Sequence, residues 1–161
     1  MNYYNEISKG YEELHREEQL GKIKLIKKHF NPKGKLLDVG CGTGITTIPW
    51  KCKLYGLDPA IQLLKRASKK NRPTYLNAEA EHIPFKDNTF EVVISITAIQ
   101  NFHDIEKGLK EIKRVGKNKF LLTFLKKSRK KQKIIKLIKK HFKITKELEE
   151  QHDLIYFLAK K

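Results

Sequence analysis

The chain has 161 residues, 39% of them apolar, which is room for one globular domain of ordinary size and not for two. It has no apolar run near the roughly 18 residues of a membrane span, no basic-then-apolar leader in Met1-Asn2-Tyr3-Tyr4-Asn5-Glu6, and in Cys41 and Cys52 neither a CxxC nor a Cys/His ligand set. These features argue against stable membrane insertion, a disulfide framework and a metal site, and point to a reducing, cytoplasmic compartment. Against 18 Asp and Glu stand 35 Lys and Arg, a net charge of +17. That excess predicts attraction to an anion, nucleic acid before an anionic membrane surface, although a lysine-rich proteome would give the same balance.

Residues 8–29 mix an apolar stripe with charge and predict a helix that Asn31-Pro32-Lys33-Gly34 ends. Lys35–Val39 is a short apolar run stopping at Gly40, the pattern of a buried strand. A second strand is expected at Lys53–Leu57, then a helix from Pro59 to about Lys70 with proline at its first position. Thr74–Asn77 fits a short edge strand, and the β-branched run Glu91–Thr97 a central parallel strand covered on both faces. A helix from Asp104 to about Arg114, a strand at Phe120–Leu125 and a helix over Lys126–His141 follow. Phe142–Glu147 and Asp153–Ala159 close the chain as a hairpin. The alternation predicts one α/β domain over 1–161, its sheet mostly parallel with one antiparallel strand.

The most informative segment is Asp38-Val39-Gly40-Cys41-Gly42-Thr43-Gly44. Glycines at alternate positions directly after a buried strand let the backbone turn tightly and approach a ligand, at the strand end where α/β sheets bind ligands. It has no Gly-Lys-Ser/Thr ending and has GxGxG where the dinucleotide fingerprint has GxGxxG. Gly56-Leu57-Asp58 then puts a carboxylate at the next strand end, where it can accept both hydroxyls of a ribose or cap the following turn. The third part is Ala80-Glu81-His82-Ile83-Pro84-Phe85-Lys86-Asp87-Asn88-Thr89-Phe90-Glu91.

In this order the three parts resemble class I S-adenosylmethionine-dependent methyltransferases of the UbiE-like kind, over about residues 1–125. The resemblance implies a three-layer, doubly wound, mostly parallel seven-stranded sheet of Rossmann-like type with its last strand antiparallel, and S-adenosyl-L-methionine as cofactor. It implies a helix over 1–30 covering the cofactor, a cofactor-binding core over 35–125, and a basic helix with a strand hairpin over 126–161. Asp38 would orient the glycine turn and the cofactor amino group, while Gly40, Gly42 and Gly44, with Cys41 between them, would let the methionine and ribose lie close. Asp58, followed by Pro59, would take the ribose hydroxyls. Glu79 stands where the family has an acid contacting adenine, and Ala80 would offer its N–H to the ring. Ser95, Ile96 and Thr97 would lie near the sulfonium, and Tyr4 and Tyr11 match aromatic positions that close over the cofactor or simply pack their helix. Only 13 residues separate Gly44 from Asp58, so the helix after the glycine turn should be shortened, and Val115-Gly116-Lys117-Asn118-Lys119 replaces the usual Leu-Lys-Pro-Gly-Gly turn.

Methyl transfer needs positioning more than acid–base chemistry, so no catalytic residue need be visible. Gln100 and Asn101, just past the central strand, are candidates for positioning the methyl acceptor, unless they cap the Asp104 helix; His103 is a weaker candidate base. Between Lys126 and Lys146 lie 11 Lys or Arg and no acid. Lys126, Lys127, Arg129 and Lys130 begin this stretch at a carboxyl strand end, and would guide a polyanionic substrate or form a solvated helix face. Tyr3, Tyr4, Trp50 and Phe102 are candidates for stacking on bases. The leading expectation is therefore methylation of RNA (tRNA or rRNA) or of a ribosome-associated component of the translation machinery. The segment Val93–Gln100 also resembles the matching strand of RNA methyltransferase subunits that work with a small zinc-containing activator protein. The alternatives are a UbiE-like small-molecule methyltransferase and a non-catalytic nucleic-acid-binding partner of the same fold.

Overall fold

The computed structural model describes the backbone of residues 2–161 and the side chains of residues 10 and 12–161. It forms two compact units, Met1–Asn31 and Pro32–Lys161. The first is helix α1 (Asn2–Lys27), which starts earlier than the apolar pattern indicates. It closes in tightened turns, with the Lys28 N–H on the Leu25 carbonyl and that of His29 on the Ile26 carbonyl. Gln19, Lys22, Ile23 and Ile26 form its buried stripe, at the spacing of one helical face, while Leu14 and Leu20 are exposed.

The second unit is built on a seven-stranded sheet. Its strands are β1 (Lys35–Val39), β2 (Lys53–Asp58), β3 (Thr74–Asn77), β4 (Phe90–Ser95), β5 (Gly116–Leu125), β6 (Phe142–Glu149) and β7 (Asp153–Lys160). They lie in the order β3-β2-β1-β4-β5-β7-β6. Neighbours among β1–β5 pair in parallel, and β7 runs antiparallel between β5 and β6. This is the Rossmann-like, mostly parallel seven-stranded sheet with one inserted antiparallel strand that the family resemblance implies. The order reverses between β1 and β4, and that switch point opens a crevice beyond their carboxyl ends. Leu36, Leu37, Val93, Ile94, Phe120, Leu121, Leu122 and Phe124 are wholly buried, so the central strands are apolar at successive positions and not at alternate ones.

Helix α3 (Ile105–Val115) buries Ile105, Gly108, Leu109, Ile112 and Val115, and the Asp104 carboxylate caps it by accepting the Lys107 N–H at 3.1 Å. It packs on α4 (Lys131–His141) and β5. Several further boundaries differ from the sequence expectation: β5 begins at Gly116, four residues before the expected Phe120, and β6 runs on to Glu149. Helix α2 covers only Ile61–Lys65, not Pro59 to Lys70, and buries no side chain; a single turn without an apolar face has nothing to propagate it. Residues 126–130 are turns, so α4 begins five residues later than its charge pattern indicates. There the Lys126 N–H is held by the His152 carbonyl and the Ser128 hydroxyl takes the Lys130 N–H. The segment after the glycine turn is a series of turns where a shortened helix is expected. Among the described residues no helix is long and apolar enough to cross a membrane.

Candidate functional site

The site begins where β1 ends. Gly40, Gly42 and Gly44 all adopt positive φ (+79°, +53° and +81°), so the chain coils back beneath the strand end. The Gly40 and Cys41 N–H groups both donate to the Leu57 carbonyl of β2, at 2.8 and 3.0 Å. At Gly44 a Cβ would collide with the Tyr75 hydroxyl, which donates to the Ser68 carbonyl at 2.6 Å. Cys41 is buried against Gly56, and burial pushes its thiol well above the ordinary range, so it is an apolar filler.

Asp38 is wholly buried. Its Oδ2 accepts the hydroxyls of Thr46 and Thr47 at 2.7 and 2.8 Å, while Oδ1 is buried with no hydrogen-bond partner among the described residues. Loss of solvent pushes its pKa up to about 6, against the opposing hydrogen bonds of the two threonines. The two hydroxyls explain why the segment after the glycines coils as it does. The Thr47 N–H and Ile48 N–H return to the Gly44 carbonyl, and the Trp50 indole donates to the Thr46 carbonyl at 2.8 Å.

Asp58 closes the neighbouring strand end. Its Oδ2 accepts the Gly42 N–H and its Oδ1 the Ala60 N–H, at 2.9 and 2.8 Å. It thus braces the glycine turn and caps its own turn at once, and each carboxylate oxygen keeps a second lone pair. The Asn77 amide donates to the Asp58 and Pro59 carbonyls, which brings the segment carrying Glu79 and Ala80 to the same strand end. There Glu79 is exposed and Ala80 buried. Arg114 of α3 holds the rest of that segment through the carbonyls of Ile83 (3.0 Å) and Phe85 (2.8 Å) and the carboxylate of Asp87 (2.9 Å). Glu111 accepts both the Ile83 N–H and the Arg114 guanidinium, which lowers its pKa.

On the other side of the switch point, the Ser95 hydroxyl donates to the Val39 carbonyl at 2.8 Å and Ile96 is buried. Thr97 has φ +55°, a left-handed conformation that costs a β-branched residue about 1–3 kcal/mol unless its surroundings hold it. Ala98 abuts Gly40, where a Cβ would lie 2.6 Å from its own. Gln100 and Asn101 sit in a one-turn 3-10 helix (Ile99–Asn101), so neither caps α3. Asn101 is exposed. Gln100 donates its amide to the Thr97 carbonyl at 3.0 Å, leaving Oε1 buried and unpartnered, and its own carbonyl accepts the Lys130 ammonium at 3.1 Å.

Asp38, Gly40, Gly42, Asp58, Ala80, Ser95, Ile96 and Gln100 therefore meet on one rim of the sheet, and Lys130 borders it. Lys127 and Arg129 are exposed, whereas Lys126 is engaged with Glu149 at 2.9 Å. Phe102 and Trp50 are buried, at 8% and 3% exposure, which removes them as base-stacking surfaces. The side chains of Tyr3, Tyr4 and Tyr11 lie outside the described residues. Thr46, Thr47, Glu111, Arg114, Thr123 and Asp153 escape the sequence reading; only the Thr46-Thr47 pair leaves a local signal, two hydroxyls just after the glycines.

A switch-point glycine turn flanked by two buried aspartates, in a sheet whose seventh strand is inserted antiparallel beside the fifth, defines a class I methyltransferase. Residues 37–124 match the family model described as a methyltransferase domain, and the chain belongs to that family. It is 33% identical over 145 residues to a demethylmenaquinone methyltransferase of Lactiplantibacillus plantarum, covering 82% of this chain and 59% of the relative. The chain spans about half the length of the curated relatives it matches. Its fold is shared with a SAM dependent methyltransferase from Aquifex aeolicus (TM-score 0.73, 19% identity, 86% of this chain and 88% of that one). It is also shared with a chain of the complex between the Haloferax volcanii Trm112 methyltransferase activator and a methyltransferase (TM-score 0.78, 13% identity, 94% of both). At these identities the structural likeness is one of fold.

Proposed function

We propose that this chain is an S-adenosylmethionine-dependent methyltransferase for a small-molecule acceptor. The observation that carries the reading is the pair Asp38 and Asp58, which flank a glycine turn whose backbone leaves room for a ligand. The residues present fit the cofactor. Asp38 Oδ1 is a buried acceptor still lacking a donor, suited to an ammonium group, and the Asp58 carboxylate has lone pairs to spare for the hydroxyls of a ribose. Gly40 and Gly42 would lie along the methionine and ribose, and Glu79 and Ala80 beside the base. When bound, S-adenosylmethionine supplies an electrophilic methyl group on a sulfonium. The chain's own part would be to orient the acceptor and exclude water, a role for which the buried end of β4 and the Gln100 turn are the candidates.

The small-molecule acceptor is supported by the demethylmenaquinone methyltransferase relative, which outweighs the RNA substrate expected from charge. RNA stays the second reading, favoured by the exposed Lys127, Arg129 and Lys130 beside the rim, with a zinc-containing activator as partner. Calorimetry with S-adenosylmethionine, followed by transfer of labelled methyl to separated quinol-lipid, small-acid, RNA and protein pools, tests both. Label in the small-molecule pools is expected. Label in RNA alone would exchange the two readings, and a chain that binds no cofactor would overturn both.

A further inference from the structure

We propose that Asp153, the first residue of β7, is a positioning residue of this site, acting through Thr97 on the turn that carries Ala98 and Gln100. The inference rests on the cofactor reading above. Thr97 is held left-handed by Thr123 and Asp153. Its N–H is shared between the Thr123 hydroxyl oxygen at 2.9 Å and the Thr123 carbonyl at 3.2 Å, and its hydroxyl donates to Asp153 Oδ2 at 2.6 Å. The Thr123 hydroxyl donates to that same carboxylate oxygen at 2.8 Å, so its lone pair is turned toward the Thr97 N–H. One wholly buried oxygen thus orients both threonines.

Two consequences reach the rim. The Thr97 carbonyl fixes the Gln100 amide: the nitrogen must face it, because an oxygen there would meet an oxygen, and Oε1 is thereby turned away. Ala98, next in the chain, is pressed against Gly40, so a shift at Thr97 is felt by the glycine turn. Pairing of the strands does not require the carboxylate. β5 and β7 are in regular register from Phe120 opposite Leu158 to Leu125 opposite Asp153, and that pairing is made by backbone groups. A buried acid at the start of β7 is costly unless its bonds are used, and both that it makes to hydroxyls are spent on the strained turn.

The test uses the full chain, with S-adenosylmethionine affinity by calorimetry and Tm as readouts for wild type, Asp153→Ala, Asp153→Asn, Thr97→Gly and Asp153→Ala/Thr97→Gly. Asp153→Ala is expected to weaken cofactor binding about tenfold, and Asp153→Asn by less than about threefold, because an amide oxygen accepts the same two hydroxyls. Adding Thr97→Gly to Asp153→Ala should bring affinity back to within about threefold of wild type, since glycine adopts positive φ unaided, while Tm rises above that of Asp153→Ala but stays below wild type. Where Asp153→Ala does not fold, Thr123→Val removes part of the same network and should show the same rescue. Wild-type affinity in Asp153→Ala, or a loss that Thr97→Gly leaves untouched, overturns the proposal. If wild type itself binds no cofactor the functional reading falls instead. The proposal is then decided by Tm, which Thr97→Gly should raise in the Asp153→Ala background and not in wild type.

Discussion

The wholly buried carboxylate of Asp38 couples stability to pH. With its pKa pushed up to about 6 from 3.8, the folded chain holds this proton in a range where the unfolded chain has released it. The contribution of Asp38 to stability therefore falls as pH rises between these two values, by about 3 kcal/mol in all at about 1.4 kcal/mol per unit. Denaturant unfolding of wild type and Asp38→Asn at pH 4.0 and about 7 should show this slope in the first and not in the second. A cationic ligand group at Oδ1 favours the ionised form, so S-adenosylmethionine affinity should rise with pH through about 6, with proton release measurable by calorimetry in buffers of different ionisation heat. Asp58→Ala removes the brace on the Gly42 N–H together with the carboxylate proposed to accept the ribose hydroxyls, and is expected to weaken cofactor binding at least about tenfold, since hydrogen bonds to charged groups contribute about 1.5–3 kcal/mol.

Among the elements, the strands were legible and their connections were not. Lys35–Val39 falls where its apolar run puts it, and β4 within two residues, because buried parallel strands need continuous apolar side chains; Thr74–Asn77 is the short, half-exposed edge strand expected. Helix α3 was legible for a second reason: Asp104 announces its start. Asp104→Ala should lower stability by about 1 kcal/mol, read as a fall in Tm with the fold intact by circular dichroism. The helix expected from Pro59 stops at Lys65 because its length depends on an apolar face that it lacks. The Arg114 clamp on residues 83–87 was hidden, since a guanidinium on three loop oxygens looks in sequence like any surface arginine. Arg114→Ala should loosen that loop, raising hydrogen exchange at Ile83 and Asn88, whose N–H groups depend on Glu111 and on the end of α3.

At the scale of the molecule, the +17 charge is uneven but not all of it is available. Lys126 is engaged by Glu149, and Lys140 with His141 by Glu106, so the exposed positive charge nearest the rim is that of Lys127, Arg129 and Lys130. If this charge guides an anionic acceptor or its carrier surface, Lys127→Glu/Arg129→Glu should slow association and flatten its dependence on salt while leaving the Tm within a degree or two. Cosedimentation with vesicles containing anionic lipid, and titration with tRNA, both across salt, separate the two acceptor readings.

By itself the sequence determined the fold class, the glycine turn and the two aspartates, because each depends on residues close together in the chain: an apolar run, an adjacent turn, a strand-end acid. What only the tertiary structure decided joins distant positions. Insertion of β7 beside β5 carries Asp153 to Thr97, 56 residues away, and the turn after β5 brings Lys130 to Gln100. No local preference announces such contacts. A left-handed threonine is unfavourable on its own, and here Thr123 takes its N–H while the Asp153 carboxylate takes its hydroxyl, two partners that lie 26 and 56 residues away in the chain.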